Sequence, residues 1–420
     1  MDTAGAQSGI ESVLRAGQVH SVLQPVVDLQ TGGVVGYEAL ARGPQGPLES
    51  PYALFAAART AGRLSELDAL CRRAALRAAL EHGVDGSSWL FVNVEPEVLD
   101  QAPMEELLAI AADAPRGLRV VLELTERSLA ARPAELLRTV ARLRQAGWRI
   151  ALDDVGADDM SLAFMPLLRP EVVKLDLRLV QQRPSLDVAA VMMAVNAYAQ
   201  ASGAVVLAEG IETPRHVELA RSLGASLGQG WHYGRPARAL CPLPTTRLEL
   251  PTAAPAPSPA SPFHCLPPDA ELRHSTKPLL IQVSKHLEAM AVTQGSTCLV
   301  LSTFQHARFF TADTVQRYQR LARGVGFVAA IGEGLPCEPA VGVRGADLHP
   351  LDPLLGEWDV VVLGPHFAAA LLARELTAEL AGGPDAGTDR RFEYHLTFDR
   401  ETVINAAHGL LTRITARVHA

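Results

Sequence analysis

Between Val34 and Gln229 this chain seven times runs an apolar, β-rich segment into one polar or ionisable side chain. Val34-Val35-Gly36-Tyr37 meets Glu38, Trp89-Leu90-Phe91-Val92 meets Asn93, and Arg119-Val120-Val121-Leu122 meets Glu123. Arg149-Ile150-Ala151-Leu152 meets Asp153-Asp154, and Val172-Val173 meets Lys174-Leu175-Asp176. Val205-Val206-Leu207-Ala208 meets Glu209, and Ala225-Ser226-Leu227-Gly228 meets Gln229. Helix-length amphipathic stretches separate most of these runs. Strand then helix, repeated this often, predicts a (β/α)8 barrel, whose chemistry sits at the strand C-termini. These side chains are therefore expected on one rim. Carboxylates crowded together are costly unless cations neutralise them, so the pattern implies a site for two divalent metal ions.

At 420 residues the chain exceeds what one core holds, which predicts two domains. A net charge of −8 argues against a basic nucleic-acid-binding surface. Five dispersed cysteines, Cys71, Cys241, Cys265, Cys298 and Cys337, suit free thiols in a reducing cytoplasm better than a disulfide framework or a zinc site. The first residues lack a basic region followed by an apolar core, so no secretory signal is expected. Val188 to Ala208 is long and uncharged, but Asn196, Gln200, Ser202 and Gly203 interrupt it. It reads as a buried barrel helix plus strand rather than a membrane span.

The barrel is expected over 1–240. Residues 241–268 read as a linker, because Pro251 to Pro262 lacks charge and hydrophobic period. Residues 269–420 read as a smaller α/β domain. A helix begins near Asp269, with Leu279, Leu280, Val283, Leu287, Met290 and Ala291 on one face and Gly295 as its stop. Strands are expected at 298–304, 327–331, 341–348, 358–363 and 392–398, with helices after Ala312, Phe367 and Arg400.

Glu38-Ala39-Leu40-Ala41-Arg42 resembles the signature that names the EAL family of cyclic di-GMP phosphodiesterases. Upstream, Leu23-Gln24-Pro25-Val26-Val27-Asp28-Leu29 resembles that family's opening strand. Phe91-Val92-Asn93-Val94, Glu123-Leu124-Thr125-Glu126, Asp153-Asp154-Val155-Gly156, Lys174-Leu175-Asp176, Ala208-Glu209-Gly210-Ile211-Glu212-Thr213 and Gly228-Gln229-Gly230 follow in the family's order. The resemblance covers Ile10 to Pro236. It implies a TIM-type barrel with one antiparallel strand and metal-dependent hydrolysis of cyclic di-GMP to the linear dinucleotide pGpG. By the same resemblance Glu38, Asn93, Glu123 and Asp153 hold one Mg2+ or Mn2+, and Asp153, Asp154 and Glu209 hold a second. Lys174 stands beside the attacking water, with Glu212 and Gln229 orienting water and lysine. Gln24 and Arg42 contact the substrate phosphate, Asp176 lies near the substrate, and Glu126 anchors the loop after Asp154. A homodimer through the barrel is implied, with no nucleic-acid or membrane partner.

Plainer readings stand beside these: Glu126 as a helix-start acid, Glu212 as a helix cap, Asp176 as a surface acid. The loop after the Asp pair departs from the family, which has Phe at Val155 and a second Gly soon after Gly156; here Ala157-Asp158-Asp159 follow. That departure leaves open a receptor that binds cyclic di-GMP without cleaving it. In the last block, Phe304-Gln305-His306-Ala307-Arg308-Phe309-Phe310, Val343-Arg344-Gly345, Trp358 to Phe367 and Leu396-Thr397-Phe398-Asp399-Arg400 resemble the DICT sensory domain. The resemblance implies an unidentified signal ligand or protein that modulates the barrel. Phe304, Arg308, Arg344, His366 and Phe367 are candidates for a pocket there, or else core aromatics and surface cations.

Overall fold

A computed structural model of the chain describes residues 3–95, 98, 117–125, 130–240, 243–253, 259–376 and 390–415. Two compact units emerge. The first comprises Met1–Ser128, Arg138–Ala157 and Pro170–Ala253; the second comprises Leu129–Leu137, Asp158–Arg169 and Ala254–Ala420.

The first unit is a closed eight-stranded barrel. Its strands are β1 (His20–Asp28), β2 (Val34–Arg42), β3 (Trp89–Asn93) and β4 (Arg119–Leu124), then β5 (Arg149–Val155), β6 (Val172–Leu175), β7 (Val205–Ala208) and β8 (Leu227–Gln229). β1 runs antiparallel to both neighbours, β2 and β8, and the other pairs are parallel. The turn after β1 explains the reversal. Asp28 Oδ1 accepts from the backbone N–H of Gln30 (3.0 Å) and Thr31 (2.7 Å), closing a turn too short for a helical crossover. The helices of the chain's first half include α1 (Thr3–Ala16), α2 (Pro51–Thr60), α3 (Leu64–Glu81), α4 (Pro133–Gln145), α5 (Met160–Leu168), α6 (Leu177–Gln181), α7 (Leu186–Ser202) and α8 (Pro214–Ser222). The uncharged stretch from Val188 is thus α7, closed by Gly203 at φ 75°, followed by β7. Among the described residues no helix is long and apolar enough to cross a membrane.

A layer of Val26, Phe91, Val121, Ala151, Val172, Leu207 and Leu227 fills the barrel interior. Leu250 joins this cluster from outside the strands, and Trp89 Nε1 donates to Leu248 O at 2.9 Å. Val34 N donates to Pro244 O (2.8 Å) and Arg149 Nε to Pro251 O (2.8 Å). Ala253 N donates to Glu171 Oε1 (3.1 Å), so the segment read from composition as the start of a linker is held by the barrel as far as Ala253.

The second unit carries a seven-stranded sheet: β9 (Arg273–Thr276), β10 (Leu299–His306), β11 (Phe327–Glu333), β12 (Arg344–Ala346), β13 (Glu357–Leu363), β14 (Ala368–Glu375) and β15 (Arg391–Thr397), in the order β12-β11-β10-β13-β14-β15-β9. Helices α9 (Lys277–Gln294), α10 (Ala312–Leu321) and α11 (Arg400–Leu411) accompany it. Three expectations change here. The alanine-rich run after Phe367 is not a helix: β14 pairs antiparallel with β13 from Ala368 to Arg374, and both its faces are buried through Ala373. Tertiary pairing overrides alanine's helical propensity. The helix expected from Asp269 begins at Lys277, after β9, and Leu279 is half exposed rather than on the core face.

His408 on α11 is buried, and burial followed by the charge of Arg169 pushes its pKa down to about 4 from 6.5. Between those values the unfolded chain takes up a proton that the folded one refuses, so stability falls as pH drops. Urea unfolding at pH 7 and pH 5 should show the wild type losing about 2 kcal/mol more than His408→Leu over that interval. Parallel losses in the two proteins would show that His408 does not set the acid sensitivity.

Candidate active site

In a strand, side chains two residues apart share a face. Phe91, Val121, Ala151, Val172, Leu207 and Leu227 point into the barrel, so the residues two positions later form the next layer up: Asn93, Glu123, Asp153, Lys174, Glu209 and Gln229. β1 runs the other way, so Val26 is followed upward by Gln24, which lies in register with Glu38 of β2. Below Glu38 stands Gly36, where an added Cβ would come 2.4 Å from Trp89 O. The apolar plug thus positions the polar rim.

Lys174 is 1% exposed, and its Nζ lies at the centre of this rim. It sits 2.6 Å from Glu123 Oε1, 2.7 Å from Glu209 Oε1, 3.1 Å from Asp153 Oδ1 and 3.8 Å from Glu38 Oε1. Burial alone would lower its pKa, but Asp153, Glu123, Glu209 and Glu38 together raise it well above the usual lysine value. Burial and then Glu38 push Glu123 well above the carboxylate range. Burial, opposed by Lys174 and reinforced by Asp153, takes Glu209 up to about 8. Glu38 goes the other way: burial raises it, but Lys174, Gln229 and Asn93 outweigh that and hold it low. Its carboxylate accepts from Asn93 Nδ2 (2.7 Å) and Gln229 Nε2 (2.5 Å). Gln229 Nε2 also reaches Gln24 Oε1 (3.1 Å), and Gln24 Nε2 donates to Gly234 O (3.1 Å).

Asp154 completes the cluster. Carboxylate oxygens of Asp153, Asp154 and Glu209 all lie within 4.8 Å of one another. Asp154 adopts φ 56°, a left-handed conformation that costs a non-glycine residue about 1–3 kcal/mol. The β5–β6 register also shifts between Leu152 and Val155. Such irregularities re-aim side chains at functional sites. In the loop that follows, Val155 is fully buried and Gly156 holds φ 96°. Asp158 Oδ1 accepts from Met160 N at 2.9 Å and so helps start α5, a local use for one of the additional acids.

A cavity of about 410 Å³ opens onto this rim. Gln24, Glu38, Asp153, Lys174, Glu209, Glu212 and Gln229 line it. Glu212 does not cap α8, because Thr213 occupies that position. Asp176 and Arg42 are placed differently from expectation. The Asp176 carboxylate caps α6, accepting from Arg178 N (2.9 Å) and Arg178 Nε (2.7 Å), and Arg42 Nη1 donates to Ala41 O (2.8 Å); neither lines the cavity. Glu126 lies outside the described residues. Trp231 and Gln181 also line the cavity; neither is among the residues the sequence pattern singles out, although Trp231 directly follows the Gly228-Gln229-Gly230 motif.

The family model of the EAL domain matches residues 8–236. The chain belongs to the EAL family. A second model, the sensory domain of diguanylate cyclases and two-component systems (DICT), matches residues 266–376. Beyond its EAL barrel the chain therefore carries a DICT domain. The EAL region is 33% identical over 226 residues to the probable cyclic di-GMP phosphodiesterase PdeB of Escherichia coli K12, covering 50% of this chain and 41% of that protein. It is 31% identical over 233 residues to the cyclic di-GMP phosphodiesterase RocR of Pseudomonas aeruginosa, covering 52% of this chain and 58% of RocR. The chain thus spans about half the length of these two relatives. The solved EAL enzyme Bd1971 in its cGMP-bound form shares the fold at TM-score 0.50 and 21% identity, covering 56% of this chain and 66% of the other.

Proposed function

We propose that this EAL barrel hydrolyses one phosphodiester bond of cyclic di-GMP, giving linear pGpG, with two divalent cations at the rim. The observation that carries the reading is the ring of carboxylates around Lys174, with Asp154 turned toward it by a left-handed backbone. One ammonium cannot balance five carboxylates, and Glu123 Oε2 has no hydrogen-bond partner among the described residues. An oxygen-only donor set suits Mg2+ or Mn2+. Glu38, Asn93, Glu123 and Asp153 would hold one ion, and Asp153, Asp154 and Glu209 the other. Bound there, such ions supply Lewis acidity and charge neutralisation toward a phosphodiester.

The chain's own side chains divide the remaining work. Lys174 donates a hydrogen bond to the attacking water, and Glu212 accepts one from it across the cavity. Gln229 fixes the Glu38 carboxylate. Gln24 faces the phosphate, and Arg42 joins it after releasing Ala41 O, offering a planar pair of donors. Asp176 acts by positioning α6. The Trp231 ring is half exposed, with Arg235 Cζ 3.9 Å above it, and offers a platform for a guanine. Trp231→Ala should raise KM about tenfold with kcat little changed, in keeping with what base stacking contributes. An unchanged KM would remove the ring from recognition.

Incubating the protein with cyclic di-GMP and Mg2+ or Mn2+, then analysing the nucleotides, tests the reaction. Linear product that disappears with chelator is expected. Binding without product would establish the receptor reading instead, which the altered loop after Asp154 favours. The DICT domain is proposed to modulate turnover in a homodimer formed through the barrel. β5, which carries Asp153 and Asp154, continues directly into residues 158–169 of the second unit, so that segment gives modulation a covalent route.

A further inference from the structure

The second unit contains a cavity of its own, about 310 Å³ in volume, near the lower end of small-molecule sites. Lys277, Ile281 and Lys285 line it from α9 at i, i+4 and i+8, so they share one face of the helix. Phe304 of β10 and Trp358 of β13 supply aromatic wall. Both rings are fixed: Phe304 meets Phe310 edge-on at 4.9 Å, and Trp358 Nε1 donates to Ser284 Oγ at 3.2 Å. Of the residues suggested by sequence, Phe304 alone lines the cavity; Arg344 is buried, its Nη2 donating to Thr415 O at 2.9 Å.

The charges around this cavity do not balance. Arg390 is engaged by Glu375 and by Gln305 Oε1 (2.6 Å), and Arg317 by Glu288 (2.7 Å). Lys277 and Lys285 make no ion pair among the described residues, and Asp313 is the one acid among the lining residues. Among the described residues, the four lining cations Lys277, Lys285, Arg317 and Arg390 are thus set against three acids, Asp313 on the lining and Glu288 and Glu375 as arginine partners outside it. Lys277 Nζ and Arg390 Cζ lie 4.9 and 5.0 Å from the centroid of the same ring, Phe309. Lys277 also opens α9, where the helix dipole disfavours a cation. Burial and then Arg390 lower its pKa. An anion at Lys277 would relieve all of these costs.

We propose that this cavity binds a small aromatic carboxylate, its ring against Phe304 and Trp358 and its carboxylate on Lys277. The surplus is about one positive charge, and both arginine forks are already occupied by acids, which suits a monoanion better than a phosphate dianion. The fixed aromatic walls call for a planar apolar body.

Calorimetric titration of the full chain tests this with three probes: 1-naphthoate, its neutral analogue 1-naphthamide, and inorganic phosphate. Saturable binding of naphthoate is expected, at least tenfold tighter than either of the others. Lys277→Gln should weaken it at least tenfold while Lys277→Arg retains it, with thermal melts confirming that both variants are folded. Ile281→Trp, which fills the cavity without altering charge, should also abolish binding, so the proposal stays testable if Lys277→Gln fails to fold. No binding of naphthoate, equal binding of the amide, phosphate binding as tight as naphthoate, or undiminished binding in Lys277→Gln or Ile281→Trp would each overturn it. None of these outcomes depends on cleavage of cyclic di-GMP.

Discussion

Glu38→Ala and Asp153→Asn are each expected to cut turnover of cyclic di-GMP by about 10³-fold or more, because losing a metal ligand removes roughly 4 kcal/mol of transition-state stabilisation. The two variants should part company on stability. Glu38 accepts hydrogen bonds from Asn93 and from the buried Gln229, so alanine leaves the Gln229 amide short of an acceptor and lowers the melting temperature of the metal-free protein. Asp153→Asn removes one negative charge from a crowded ring and should raise it. Turnover within tenfold of wild type in both variants would show that these side chains are not ligands. Near-identical melting shifts would contradict the charge distribution assigned to the rim.

Lys174→Met should have the largest effect on stability. The ammonium sits within 3.1 Å of carboxylates from Glu123, Asp153 and Glu209, and it is almost completely enclosed. Replacing it with an apolar side chain of similar length leaves those charges facing one another in a buried setting. Breaking a buried ionic group from one side typically costs about 3–5 kcal/mol, so chemical unfolding in chelator should show a loss of that size. Added Mn2+ should recover more stability in the variant than in the wild type, because the ions replace the missing positive charge. If the variant is as stable as the wild type without metal, Lys174 is not the countercharge of this site.

The barrel was legible because the feature that makes it fold also makes its site. Apolar residues at Phe91, Val121, Ala151, Val172, Leu207 and Leu227 fix the strands, and the period of two carries Asn93, Glu123, Asp153, Lys174, Glu209 and Gln229 onto the same inward face. Asp176 and Arg42 were less legible. A strand-end acid followed by Leu177 looks the same whether it faces a ligand or caps a five-residue helix. Trp231 is not legible in the sequence, because a lone aromatic carries no pattern of its own. In the second unit, Ala368 to Glu375 reads as helix because alanine is a strong helix former, and only pairing with β13 and β15 on either side makes it a strand. The division into units has no local signal in sequence for a related reason. α5 is buried on every side, and Phe164 meets Phe327 edge-on at 5.2 Å within the second unit, a long-range contact that no local pattern announces.

Anomalous diffraction at the manganese edge, from crystals of the protein grown with Mn2+ and cyclic di-GMP, tests the central claim most directly. The expected result is two peaks that share Asp153: one bounded by Glu38, Asn93 and Glu123, the other by Asp154 and Glu209. An absence of manganese at the rim, with Lys174 still paired to Glu123 and Glu209 beside bound nucleotide, would contradict a two-metal phosphodiesterase.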